Sequence, residues 1–179
     1  MRWLWIDCII EHEQELRLVA IKNVSLAEEH LHDYVIDGAP IMPFSLMIEG
    51  MAQTAGILVG STSRFQEKVI LAKILKATLD CDVTAGDTIR YEAEIERIDE
   101  AGASTSGTID RRVGGGDAWE RIGKVELLFS HIDNNLAGVE FPEHNFVFSD
   151  NFKMILETAG LANLMETKQE NIDAAINNC

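Results

Sequence analysis

The chain has 179 residues, 46% hydrophobic and 25% charged, which is the length of one ordinary domain with apolar material for a sizeable core, and it excludes wholesale disorder and collagen-like structure. Fifteen Lys and Arg stand against thirty Asp and Glu, a formal net charge of −15 that repels nucleic acid and anionic membrane surfaces. Cys8, Cys81 and Cys179 form no CxxC pair and no zinc-like spacing with histidine, so no disulfide framework, metal or other cofactor is expected, and free thiols suit a reducing compartment.

Trp3 to Ile6 are apolar, but Asp7 and then Glu11, Glu13 and Glu15 leave no signal-peptide core of useful length, so a cytoplasmic protein is expected. Arg17 to Val24 is rich in aliphatic residues and reads as a strand. Residues 25 to 44 contain Gly38, Pro40 and Pro43 without a sustained period, a loop long enough to suggest a functional role. Ser45 is placed to cap a helix running to about Gly60, apolar nearly all round and therefore wrapped by other structure. Its apolar stretch from Leu46 to Gly60 contains Glu49 and Gln53 and falls short of the roughly 20 residues of a membrane span. Gly50, Gly56 and Gly60 each disfavour a helix by about 1 kcal/mol, which predicts that other backbone approaches closely.

Val69 to Thr78 is a single apolar run. Ile89, Tyr91, Ala93 and Ile95 alternate with Arg90, Glu92, Glu94 and Glu96, the pattern of a strand with one wet face. Ser104 to Val113 and Trp119 to Ile132 flank Gly114 to Gly116 and read as a hairpin about a glycine turn; without a following Lys-Ser or Lys-Thr, the glycines are no phosphate loop. The order is strand, helix, then antiparallel meander, an α+β chain. Residues 1–133 form the main domain and residues 134–179 a C-terminal extension with seven acids and two bases. In that extension Ser149 or Asp150 can cap a short helix whose Phe152, Ile155, Leu156 and Ala159 share a face and dock on the domain; beyond Leu164 a frayed end is expected.

Glu49 stands out, because a carboxylate on an otherwise apolar helix is unfavourable unless it is hydrogen-bonded, paired or kept protonated. A protonated carboxyl there can serve as a general acid, with Gln53 one turn later orienting it or a water; alternatively Glu49 marks the helix's one exposed spot. His30 and His32, followed by Asp33, lie on the preceding loop, where either a base facing the Glu or solvated side chains fit; His12, His131 and His144 have no partner pattern. No G-x-S-x-G elbow supports a serine triad. Arg64, Lys68, Lys73 and Lys76 against Glu67 make a local net of +3, either a solvated strand edge or a docking patch for an acidic partner.

Gly38-Ala39-Pro40-Ile41-Met42-Pro43 followed by Met47-Ile48-Glu49-Gly50-Met51-Ala52-Gln53-Thr54-Ala55-Gly56 resembles the β-hydroxyacyl-[acyl carrier protein] dehydratases of the FabA/FabZ type. Val19 to Val24 upstream and Ala85-Gly86-Asp87 downstream extend the resemblance, which covers about Trp3 to Ile132 in matching order. It implies a hotdog fold, an antiparallel sheet wrapped around a long central helix, in a homodimer or an assembly of dimers. It also implies a tunnel between subunits that takes an acyl thioester of acyl carrier protein or coenzyme A, with Glu49 as the helix acid and Gly38 offering its N–H to the thioester carbonyl. Pro43, Phe44, Gln53 and Gly56 then border the substrate, and the Arg64 to Lys76 cations are the docking surface for the carrier. The family's His-Phe-Pro-Gly loop is replaced: Val35 stands where the His belongs, Ile36 and Asp37 stand for Phe-Pro, and Phe44 for a small glycine. His32 and Tyr34 are the nearby residues that can move a proton. A dehydratase is expected, against a non-catalytic acyl-thioester-binding protein or a hotdog thioesterase.

Overall fold

The structure, a computed structural model, describes residues 3–132, 147–148 and 150–165. Its elements in chain order are β1 (Cys8–Glu13), β2 (Arg17–Asn23), α1 (His30–Asp33), β3 (Val35–Ile36), β4 (Ala39–Pro40), α2 (Phe44–Thr62), β5 (Val69–Leu79), β6 (Thr88–Asp99), β7 (Gly102–Arg112), β8 (Glu120–His131) and α3 (Asp150–Thr158), then a 3-10 turn at Ala162–Met165. Six strands form one antiparallel sheet in the order β1-β2-β6-β7-β8-β5, and α2 packs across its inner face against β2, β5, β6, β7 and β8.

The period-two signal lies in β6, where Ile89, Tyr91 and Ala93 are buried against α2 and Arg90, Glu92 and Glu94 occupy the wetter face. Strand β1 is an addition to the expected set. It pairs with β2 through a bulge between Ile9 and Glu11, and of its residues Ile9 alone is buried, so it carries no alternation to read.

Helix α2 begins at Phe44, and its N-cap is Pro43 rather than Ser45, which is exposed in the first turn. Pro43 holds φ at −57°, and its carbonyl accepts the Leu46 and Met47 N–H groups. The helix runs two residues past Gly60. Gly50 and Gly60 make room for aromatic rings, not for backbone as the sequence suggested. A Cβ on Gly50 would lie 2.6 Å from Tyr91 Cζ, one on Gly60 2.6 Å from Phe148 Cζ, and one on Gly56 3.6 Å from Phe129 Cε1.

The segment read as a plain loop contains a small hairpin. Val35–Ile36 pairs with Ala39–Pro40 around Asp37 and Gly38, whose φ values of 51° and 81° are both positive, as a type I′ turn requires. The Ala85-Gly86-Asp87 motif is the clasp that holds this loop. The Asp87 carboxylate accepts the Thr84 N–H, Val83 C=O accepts the Met42 N–H, and Gly86 N–H and Asp87 C=O bond the two backbone groups of Val24. The entry to α2 is thus tied to the end of β2.

In α3, Ile155 and Leu156 are buried, Phe152 and Ala159 half-buried, and Met154 exposed. Ser149, His144, Cys179 and the end beyond 165 lie outside the described residues. Among the described residues no helix is long and apolar enough to cross a membrane.

Candidate active site

One turn of α2 separates Glu49 from Gln53, and the Gln53 Nε2 donates to Glu49 Oε1 at 3.0 Å. The same amide donates to the Trp3 carbonyl at 3.2 Å, while its oxygen accepts the Trp5 N–H at 2.8 Å. Gln53 is therefore a junction: it pins the N-terminal segment to α2 and fixes the rotamer of the carboxylate. Its own burial, 6% exposed, makes these bonds difficult to replace with water.

The half-buried Glu49 opens on a cavity of about 380 Å³. Helix α2 supplies Glu49, Ala52, Gln53 and Gly56 to its lining, β5 supplies Val69, Ile70 and Leu71, and Trp3, Phe129, Phe148 and Phe152 add aromatic surface. Apolar walls with a carboxylate and an amide at one place suit a ligand with an apolar chain and one polar end.

A second cavity, about 520 Å³, is lined by Trp3, Leu4, Trp5, Glu28, Glu29, His30, Asp33 and Leu46. Trp3 borders both spaces and meets Trp5 edge to face at 5.5 Å. His30 packs edge-on against Trp5 at 4.9 Å. Burial depresses the pKa of its imidazole, outweighing the opposing effect of Glu28. The sequence ranked His32 above His30 as the base; His32 is exposed and lines neither cavity.

The other loop candidates are also on the outside of the single chain. Tyr34, Val35 and Ile36 are 45%, 53% and 42% exposed, and Gly38 is exposed at the hairpin tip. Pro43 and Phe44 lie at the start of α2 and border neither cavity, whereas Gln53 and Gly56 line the Glu49 cavity.

Arg64 and Lys68 lie between α2 and β5, and Lys73 and Lys76 lie along β5. At a strand rise of roughly 3.3 Å per residue, Lys73 and Lys76 stand about 10 Å apart along β5. A tighter cationic group, not evident in the sequence, sits on the outer face of the sheet. The buried Asp110 accepts from Arg90 at 2.6 Å and from Arg121, and the guanidinium groups of Arg90 and Arg112 lie over the Trp119 ring, 4.6 and 4.9 Å from its centroid. Burial pushes the Asp110 carboxyl up, but the hydrogen bonds from Arg121 and Arg90 outweigh it and hold it below the usual carboxylate range. Three neighbouring strands contribute to this cluster, so no local motif announces it.

A family model described as "FabA-like domain" matches residues 2–118. A 3-hydroxyacyl-[acyl-carrier-protein] dehydratase FabZ of Desulforamulus reducens is 32% identical over 130 residues, 72% of this chain and 86% of that protein. Among solved structures, the dehydratase heterocomplex ApeI:P from Xenorhabdus doucetiae superposes with a TM-score of 0.57 at 17% identity, covering 73% of this chain and 84% of that one. An acyl-CoA hydrolase from Agrobacterium tumefaciens gives 0.55 at 12% identity, covering 70% and 46%. At such identities the structural likenesses speak for the fold alone.

Proposed function

The chain belongs to the FabA-like domain family, and from that premise we propose that it acts as a 3-hydroxyacyl-thioester dehydratase in acyl metabolism. The observation that carries this reading is the Glu49 carboxylate, held by Gln53 and opening on an apolar cavity along α2. In the reaction a base takes the α-proton of the thioester, the Gly38 N–H and the α2 N-terminus stabilise the enolate oxygen, and Glu49 gives its proton to the departing hydroxyl, which leaves as water. The substrate is carried on the pantetheine arm of acyl carrier protein or coenzyme A. The Lys68 and Lys73 region is the candidate docking surface for the carrier, and their exchange for Glu slows association in a salt-dependent way if it serves that role.

A dimer is part of the proposal. Strand β5 is an edge of the sheet, its register is broken by two irregularities, and Leu71, Ile74 and Leu75 on it are exposed. An exposed apolar edge of this kind is normally covered. Pairing there brings a second copy beside the Glu49 cavity, whose lining includes Val69 to Leu71. His32 of α1, or Tyr34 before the hairpin, then acts across the interface.

A second reading rests on Val35. With no titratable group at the family's histidine position, the protein binds acyl thioesters without dehydrating them, or uses Glu49 to activate water for hydrolysis. Assay of the purified protein with 3-hydroxyacyl and saturated acyl thioesters separates the three. Water loss that Glu49→Gln removes supports the dehydratase; release of free thiol supports hydrolysis; binding without turnover leaves the non-catalytic reading.

A further inference from the structure

The far wall of the Glu49 cavity comes from outside the segment that matches the family. Phe148 lies over Gly60, where a Cβ would come within 2.6 Å of its ring, and meets Phe65 edge to face at 4.7 Å and Phe152 at 5.9 Å. At 1.5 Å per residue, Gly60 stands about 16 Å along α2 from Glu49. The cavity thus has a polar end at Glu49 and Gln53 and an aromatic end at Phe148 and Phe152, with Gly56 and Phe129 between. The rings are anchored: Phe148 is buried, and α3 carries Phe152 on a face whose Ile155 and Leu156 are buried in the core.

We infer that Phe148 and Phe152, contributed by the C-terminal extension, set the length of acyl chain that the protein accepts. The inference rests on the reading of the Glu49 cavity as the acyl site. A volume near 380 Å³ is at the low end for small-molecule sites, roughly 300–1,000 Å³, so a short chain fits and a long one meets the two rings. Gly60 has the complementary part. Without a side chain there, Phe148 seats against the helix and closes the groove instead of lying beside it.

The test is calorimetric binding of non-hydrolysable acyl-pantetheine thioethers, from four to sixteen carbons, whose arm is common to acyl carrier protein and coenzyme A. The native chain is expected to bind short acyl groups and to discriminate against long ones. Phe152→Ala should raise the affinity ratio of the sixteen-carbon to the four-carbon probe by about tenfold or more, and Phe148→Leu, which keeps a large apolar side chain in the core, should shift it in the same direction. Met154→Ala, exposed on the same helix, should leave the ratio where it is. Thermal unfolding shows that each variant is folded. A length limit that neither Phe variant moves overturns the inference and leaves the acyl-site reading intact. Failure of the native chain to bind any length overturns both.

Discussion

Gly50 of α2 and Tyr91 of β6 fit as one unit: a Cβ on Gly50 would lie 2.6 Å from both Cζ and Oη of the tyrosine ring. Tyr91 is completely buried, its hydroxyl has no hydrogen-bond partner among the described residues, and burial raises its pKa. Gly50→Ala should therefore destabilise the fold by about 1–3 kcal/mol, although alanine is the better helix former. Tyr91→Phe alone should be near neutral, since it removes an unsatisfied group, and should offset part of the Gly50→Ala cost. Denaturant midpoints of the two single variants and the double variant measure this; simple additivity would show that the ring and the glycine are not coupled.

The neighbouring glycine behaves in the opposite way. At Gly56 a Cβ would stand 3.6 Å from Phe129, an ordinary contact. Gly56→Ala should stabilise the protein by about 0.5–1 kcal/mol and narrow the Glu49 cavity that Gly56 lines. The expected pairing is a higher melting temperature with weaker acyl-chain binding; a lower melting temperature contradicts it.

Loss of Gln53 should separate catalysis from binding. Gln53→Met frees Glu49 from its hydrogen bond and leaves the Trp5 N–H and Trp3 C=O without that amide. Stability should fall by about 1–3 kcal/mol. In steady-state kinetics the fall in kcat should exceed the change in KM, and Glu49→Gln should lower kcat by about 10²- to 10⁴-fold. A purely structural Gln53 would lower the melting temperature and leave kcat alone.

His12 and His30 should make the fold sensitive to mild acid. Burial depresses the pKa of both His12 and His30. His12 Nε2 lies 3.1 Å from Ser61 Oγ, which itself donates to the Leu58 carbonyl, so the imidazole Nε2–H is the donor. The unfolded chain takes up protons near the ordinary histidine value of about 6.5 before the folded one does, so stability is full above that pH and is lost as pH falls toward the depressed folded values. Melting temperatures between pH 8 and pH 5 should show this slope, and His12→Gln, which keeps a donor for Ser61, should flatten it. An unchanged slope in both His12→Gln and His30→Gln would refute the assignment.

The exposed edge of β5 predicts its own variant. Ile74 and Leu75 are 44% and 50% exposed in the single chain, so Ile74→Lys with Leu75→Glu should give a monomer in sedimentation while the native chain runs as a dimer or larger. A native monomer at micromolar concentration removes the dimer from the proposal.

Local patterns were enough for the elements whose signal lies within a few consecutive residues. The alternation from Ile89 to Ile95, the apolar helix around Glu49 and the strands flanking Gly114 to Gly116 are readable because a period of two or of 3.6 is a property of neighbours. The Asp37-Gly38 hairpin had such a signal too, a dipeptide suited to positive φ at both positions, although the strands beside it are only two residues long. Sheet, helix, the position of Glu49 on α2 and the family were thus legible in consecutive residues. Tertiary structure alone decided the rest: that Gln53 ties Glu49 to Trp3 and Trp5, that aromatic rings occupy the space left by Gly50 and Gly60, that His30 rather than His32 lines a cavity, and that Phe148 and Phe152 close the groove. Those contacts join residues some 25 to 100 positions apart, and which side chains fill a core depends on packing between faces, which no local period encodes.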